Sequence, residues 1–197
     1  AGDVAQHEEQ TVGVELEETF GSLVDQALDR TDVYNLAMPG FGLDQMWLSL
    51  RHQALPLRPS LVIVCFISES FPRSLDAYRM TEGWNKPAFK LVRGQLVAKT
   101  PVDRPGPLGR FLENNSVLWR VGVLASRSLG QFWPHAESWA LNSALLRQMQ
   151  ADARAQGVPL MFVFVPTYYW RSFPAAIRYL RELGADVLDL REQPGVD

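Results

Sequence analysis

Residues 61–67 read LVIVCFI, and this unbroken apolar run decides the fold class of the chain. A short run of β-branched and aromatic residues is typical of a strand that is buried on both faces of a parallel sheet. A second run, LMFVFV at 160–165, follows a helical pattern over about 137–156 that ends at Gly157. We therefore predict two buried strands, and we expect Cys65, inside the first, to be an inert core residue.

Amphipathic helices and shorter strands extend this pattern in both directions. Helices are predicted at 19–30, where Thr19 can cap the first turn, at 44–54 and at 175–183, and further strands at 32–37 and 186–190. Residues 89–98 alternate like a hairpin and belong to an insertion at about 80–107. Helix, loop and strand thus alternate, which predicts an α/β fold with three layers, a mainly parallel sheet and helices on both faces.

Composition limits the function classes. The 197 residues are 47% hydrophobic, which is enough for the core of one domain spanning 1–197. The net charge of -3 provides no overall positive field for a phosphate backbone, so we expect no nucleic-acid partner. The single cysteine and three histidines lack metal-ligand spacing, and no phosphate or dinucleotide motif occurs, so we predict no metal and no cofactor.

Polar residues follow two of the predicted strands, at the sheet edge where ligands of parallel α/β folds bind. Gly40 lies in the turn MPGFG at 38–42, where it either aims a free N–H at an oxyanion or only serves the turn. Ser68, Glu69 and Ser70 follow the strand at 61–67 and offer either a nucleophile and proton acceptor or a capped turn. Both interpretations remain open from the residues alone.

A family resemblance is carried by two blocks. VYNLAMPGFGLDQ at 33–45 looks like the second sequence block of SGNH/GDSL hydrolases, and LVIVCFISESF at 61–71 is similar to the third block in a bacterial, membrane-associated branch. The resemblance covers about residues 12–190. It implies a flavodoxin-like three-layer fold and, for active members, hydrolysis of carbohydrate or lipid esters outside the cytoplasm, in the periplasm.

The residues that carry catalysis in that family are replaced here. The family's serine follows Gly-Asp, whereas Val4 follows Gly2-Asp3, and an alternative alignment places His7 at the serine position. Of the oxyanion donors only Gly40 matches, because Glu69 and Ser70 stand where the family has Asn-Asp. No histidine follows His135, so the Asp-x-x-His motif is missing and no catalytic residue is identifiable. Gly40, Glu69 and Ser70 are what is left of an oxyanion hole.

Two functional hypotheses follow from this pattern. The first is a catalytically degenerate SGNH-fold protein that serves as a scaffold or accessory subunit of a larger, membrane-associated assembly. The alternative is an active esterase seen only in part, because the chain is expected to be either degenerate or incomplete at both ends. Any membrane attachment would use a segment outside this chain.

Residues 108–133 form the last candidate feature. If this segment is helical, apolar side chains surround the helix on nearly all sides, and one domain core can bury only part of them. Arg110, Arg120 and Arg127 add a basic edge. We predict a docking surface for a protein partner or a membrane, or else a segment packed between the sheet and the hairpin. The surface residues are Phe111, Trp119, Arg120, Phe132 and Trp133.

Overall fold

A computed structural model of the chain describes residues 19–28, 31–75, 78–79, 84–99, 111–112, 115–119, 121–122, 136–165 and 174–192. The backbone contacts divide the chain into two units, Ala1–Ala37 and Met38–Asp197.

The first unit contains helix α1, Phe20–Ala27, which confirms the helix predicted at 19–30. Thr19 caps it, since its Oγ1 accepts a hydrogen bond from the Ser22 N–H at 3.4 Å. The strand predicted at 32–37 is wrong, because these residues form no ladder. Local bonds occupy two backbone donors instead: Val33 N–H donates to the Asp25 carboxylate at 3.3 Å and Ala37 N–H to the Asn35 side chain at 3.0 Å.

The second unit is built on a parallel sheet. Its elements are α2 (Leu43–Ser49), a π-helical turn (Leu50–Ala54), a 3-10 turn (Leu55–Leu57), β1 (Val62–Phe66), α3 (Ser70–Arg73), β2 (Tyr78–Arg79), β3 (Trp84–Asn85), β4 (Phe89–Val92), β5 (Gln95–Ala98), α4 (Ala136–Ala155), β6 (Leu160–Phe164), α5 (Pro174–Glu182), β7 (Asp186–Asp189) and a 3-10 turn (Leu190–Glu192). The strands β1, β6 and β7 pair in parallel in that order. The predicted α/β class and three of the four predicted strands are confirmed.

Although Val163 of β6 is buried on the opposite face, most of the core of the sheet lies against one face. Val64 and Phe66 of β1 and Phe162 and Phe164 of β6 are buried on that face, and the Phe66 and Phe164 rings lie 5.8 Å apart. Each pair of neighbours, such as Phe66 and Phe164, is in register across the ladder. These aromatic side chains supply the apolar burial that stabilises the sheet.

The opposite face of β1 is open to solvent. Ile63 is 39% exposed and Cys65 is exposed, so the prediction that β1 is buried on both faces and Cys65 is inert core is wrong. Successive side chains of a strand point to opposite faces, and the core covers only the face of Val64 and Phe66. An apolar sequence run therefore did not require burial of every residue in it.

The insertion is a hairpin that packs on α2. Strands β4 and β5 pair antiparallel around Arg93 and Gly94, both of which have positive φ, as a tight hairpin turn requires. Phe89 of β4 packs edge-on against Trp47 of α2, with ring centroids 4.9 Å apart. Lys99 Nζ donates to the Leu75 carbonyl at 3.0 Å and fixes the end of the hairpin. The predicted hairpin at 89–98 is confirmed.

Among the described residues, no helix combines the length and apolar character needed to cross a bilayer.

The exposure of Cys65 is directly testable. Its surroundings on the strand still raise the pKa of the Cys65 thiol, through partial desolvation of the thiolate. We expect a disulfide reagent to label the folded chain completely without denaturant. The labelling rate should keep rising to a higher pH than in the urea-unfolded chain, because less thiolate exists at any given pH in the folded state. Labelling only after unfolding would contradict the open face of β1.

Candidate functional site

The first of the predicted site residues, Gly40, lies in the turn before α2. Gly40 has φ +80°, a conformation that side chains with a Cβ rarely adopt, and Phe41 N–H donates to the Met38 carbonyl at 3.3 Å. The glycine is therefore needed for the turn itself. This finding supports the interpretation that Gly40 serves the turn, and it gives no evidence that the Gly40 N–H binds an oxyanion.

Gly42 lets this turn lie directly against the helix that follows β1. A Cβ at Gly42 would stand 2.8 Å from the Ser74 nitrogen and 2.9 Å from the Arg73 carbonyl carbon, distances that real side chains do not reach. Leu43 N–H donates to Ser74 Oγ at 2.8 Å, and this hydroxyl donates to the Ser70 carbonyl at 3.0 Å. The 38–42 turn is thus joined to the segment that follows β1, although no strand precedes this turn.

Ser68, Glu69 and Ser70 form the turn between β1 and α3. Ser68 is buried and its hydroxyl donates to the Glu69 carboxylate at 2.8 Å. Ser70 is fully buried and its Oγ accepts from Ile67 N–H at 3.4 Å, which is a turn-capping contact. Glu69, which is half-buried, places its carboxylate in the turn after β1. These contacts stabilise the turn.

Histidine and metal chemistry find no support in the part of the chain that the structure describes. His52 is exposed on the π-helical turn after α2, and the described residues hold no group of three metal-ligating side chains. The positions past β6 that the topology marks as informative, 167–170, lie outside the described residues, as do His7 and His135.

A buried ion pair next to this edge was not predicted from the sequence. Asp44 in the first turn of α2 and Lys86, just before β4, bind each other with side chains almost completely removed from solvent. Burial raises the pKa of the Asp44 carboxyl, and the Lys86 ammonium offsets part of that rise. Asp44 also accepts from Gln45 N–H at 2.9 Å. An acid in the first turn of a helix usually faces water, so nothing in the sequence indicated this burial.

The burial of Asn142 on α4 was also not predicted, because nothing in the sequence around it indicates burial. It is fully buried, and its amide nitrogen donates to the Phe71 carbonyl of α3 at 3.1 Å and to the Ser138 carbonyl at 3.0 Å. Its Oδ1 has no hydrogen-bond partner. Asn142 therefore fastens α4 beneath the turn that carries Ser68 to Ser70.

The predicted docking segment is described in part, and five of its described apolar residues are exposed, while Leu112 is half-buried. Ser116 interrupts the helical positions between 111 and 122, since its Oγ accepts from Trp119 N–H at 3.1 Å and starts a new turn. The exposed fractions are 61% for Phe111, 64% for Val117, 85% for Leu118, 43% for Trp119 and 54% for Val121. Arg120, Phe132 and Trp133 lie outside the described residues.

Comparisons of the chain with protein-family models, with curated proteins and with solved structures found no match. The family resemblance therefore rests on the two sequence blocks at 33–45 and 61–71.

The buried ion pair generates a stability prediction. Asp44→Asn and Lys86→Met should each lower the free energy of unfolding by about 3 kcal/mol, because each leaves one buried group without its partner. The double variant should cost less than the sum of the two by about 2 kcal/mol. Lys86→Met should also lose stability as pH rises above the ordinary aspartate range, since the folded state then holds a proton on Asp44 that the unfolded chain releases.

Urea unfolding of the unmodified chain, the two single variants and the double variant measures these differences in the free energy of unfolding. Lys90→Met is the matched control, because Lys90 is an exposed lysine of β4, and it should change stability little. Purely additive losses from the two single substitutions would show that the pair does not couple the hairpin to α2.

Proposed function

We propose that this chain is an SGNH/GDSL-hydrolase-like protein that acts as a non-hydrolytic accessory subunit and docks on a protein partner or a membrane surface. The exposed segment at 111–122 is the observation that carries the proposal. Leu118, Val117 and Phe111 each leave more than half of the side chain in water. Soluble monomers rarely leave neighbouring large apolar side chains so exposed.

The energetics favour a covered segment. Burying one such side chain contributes about 1.5–3 kcal/mol, and tryptophan and phenylalanine are over-represented where binding energy concentrates. Trp119, at 43% exposed, and Phe111 lie on the same short segment. Arg110 precedes this segment in the sequence and Arg120 lies within it, and both can meet anionic headgroups or an acidic partner surface.

The sheet edge supports the non-hydrolytic part of the proposal. Glu69 replaces a hydrogen-bond donor with a carboxylate, which repels rather than stabilises an oxyanion. Val4 or His7 takes the serine position of the family pattern. Loss of the nucleophile removes most of catalysis and leaves the fold intact, so a hydrolase fold can serve another function.

A second candidate function is ester hydrolysis, which the Ser68 hydroxyl favours by donating to a carboxylate at the end of β1. The substrates would be carbohydrate or lipid esters, by the family resemblance. The same resemblance supports a place for the protein outside the cytoplasm, in the periplasm and near a membrane.

The two functions predict different results with a short-chain aryl ester. We expect the chain, Glu69→Ala and Ser68→Ala to hydrolyse the ester at the same background rate, because the serine and the Asp-x-x-His motif of the family pattern are replaced or missing in this sequence. Stopped-flow absorbance of the released phenolate measures this. A burst of product that Ser68→Ala abolishes, and that an organophosphonate blocks, would establish the esterase instead.

The docking face is tested by Leu118→Gln. We expect the unmodified chain to sediment with vesicles that contain phosphatidylglycerol or to hold a stable co-purifying protein, and Leu118→Gln to weaken that binding about tenfold by removing one buried leucine. Val97→Gln is the control, since Val97 is also exposed, at 40%, but lies on β5. A monomeric chain with neither interaction, or equal binding by both variants, would refute the docking face.

A further inference from the structure

An open depression of about 510 Å³ lies between α5 and the turn that follows β7. Ile177, Arg178 and Arg181 line it from one face of α5, while Asp189, Arg191 and Glu192 line it from the end of β7. The place is the carboxyl edge of the parallel sheet, where open α/β folds bind ligands. It lies two strands from the turn of Ser68, because β6 separates β7 from β1.

Arg191 is held rigidly in this depression. Its Nε donates to Asp189 Oδ1 at 2.9 Å, and its Nη2 donates to Oδ2 of the same carboxylate. The guanidinium carbon lies 5.0 Å from the centroid of the Phe164 ring. These bonds lower the pKa of Asp189, which is buried, and hold the guanidinium in place. A guanidinium has five N–H donors, so Nη1 and part of Nη2 are left to bind a ligand.

Two further guanidinium groups face the same space. Arg178 and Arg181 are one helical turn apart on α5, and both side chains are exposed. Arg181 donates to the Glu192 carboxylate at 2.9 Å, in a pair whose two side chains are half-exposed. Exposed pairs of this kind are weak and are exchanged easily. Glu192 therefore occupies, with a carboxylate of the chain itself, a position suited to an external oxyanion.

We propose that this depression binds a small oxyanion, a carboxylate or a phosphate group, between Arg178, Arg181 and the fixed guanidinium of Arg191. Planar guanidinium groups bind the oxygens of either anion in pairs. Glu192 competes with the ligand for Arg181. The carboxylate of Glu182, on the rim, repels anions and so weakens the binding of ligands with a high negative charge. Binding here is independent of the docking role of the 111–122 segment.

The test titrates the whole chain with two probes, inorganic phosphate and acetate. Chloride is the background anion, and the ionic strength is held at about 10 mM, where screening is weak. Arginine Nε–H signals in NMR spectra report binding. We expect saturable shifts at Arg191, weakened about threefold by Arg178→Gln or Arg181→Gln and strengthened about threefold by Glu192→Gln, which removes the competing charge. The tighter probe identifies the class of ligand.

Arg147→Gln is the matched control, because Arg147 is an exposed arginine of α4 outside the depression. It should leave both titrations unchanged. Arg178→Gln and Arg181→Gln replace exposed side chains, and the dispersion of the same NMR spectra shows whether each variant is folded. Shifts that do not saturate, or equal weakening by Arg147→Gln, or no gain with Glu192→Gln, would overturn the site.

Discussion

The buried ion pair of Asp44 and Lys86 is the constraint on which the arrangement of the second unit depends. Two charges removed from water are tolerated only as a pair with further hydrogen bonds, so α2 and the chain before β4 must meet. That meeting places Phe89 against Trp47 and presents the first turn of α2 to Ser74. The close approach at Gly42 then completes the sheet edge.

Hydrogen bonds of two serine hydroxyls hold the turns at this edge together. Ser70 accepts from Ile67 N–H, and Ser74 accepts from Leu43 N–H and donates to the Ser70 carbonyl. Asn142 fixes the same turn from below. Other polar groups that face solvent are the guanidinium groups of Arg178 and Arg181 on α5.

The place of the turn Ser68 to Ser70 could be predicted, because it directly follows the apolar run that forms β1. Its connection to the 38–42 turn does not follow from that rule, because 32–37 forms no strand; it depends on the close approach of Gly42 to Arg73 and Ser74. Asp44, Lys86 and Asn142 could not be predicted, because their burial depends on partners 42 and 71 positions away in the sequence. The residues next to a charged or amide side chain do not indicate whether a segment far away in the sequence will pack over it.

By itself the sequence determined the α/β class, the strands near 61–67, 160–165 and 186–190, and the helices around them, since periodicity and capping are local properties. The resemblance of 33–45 and 61–71 to a hydrolase family, and the replacement of that family's catalytic residues, stay predictions. Only the tertiary structure decided that 32–37 forms no strand, that Cys65 faces water and that three arginines share one depression. Each of these depends on which distant surface covers a residue, and burial is settled by packing, not by residue type.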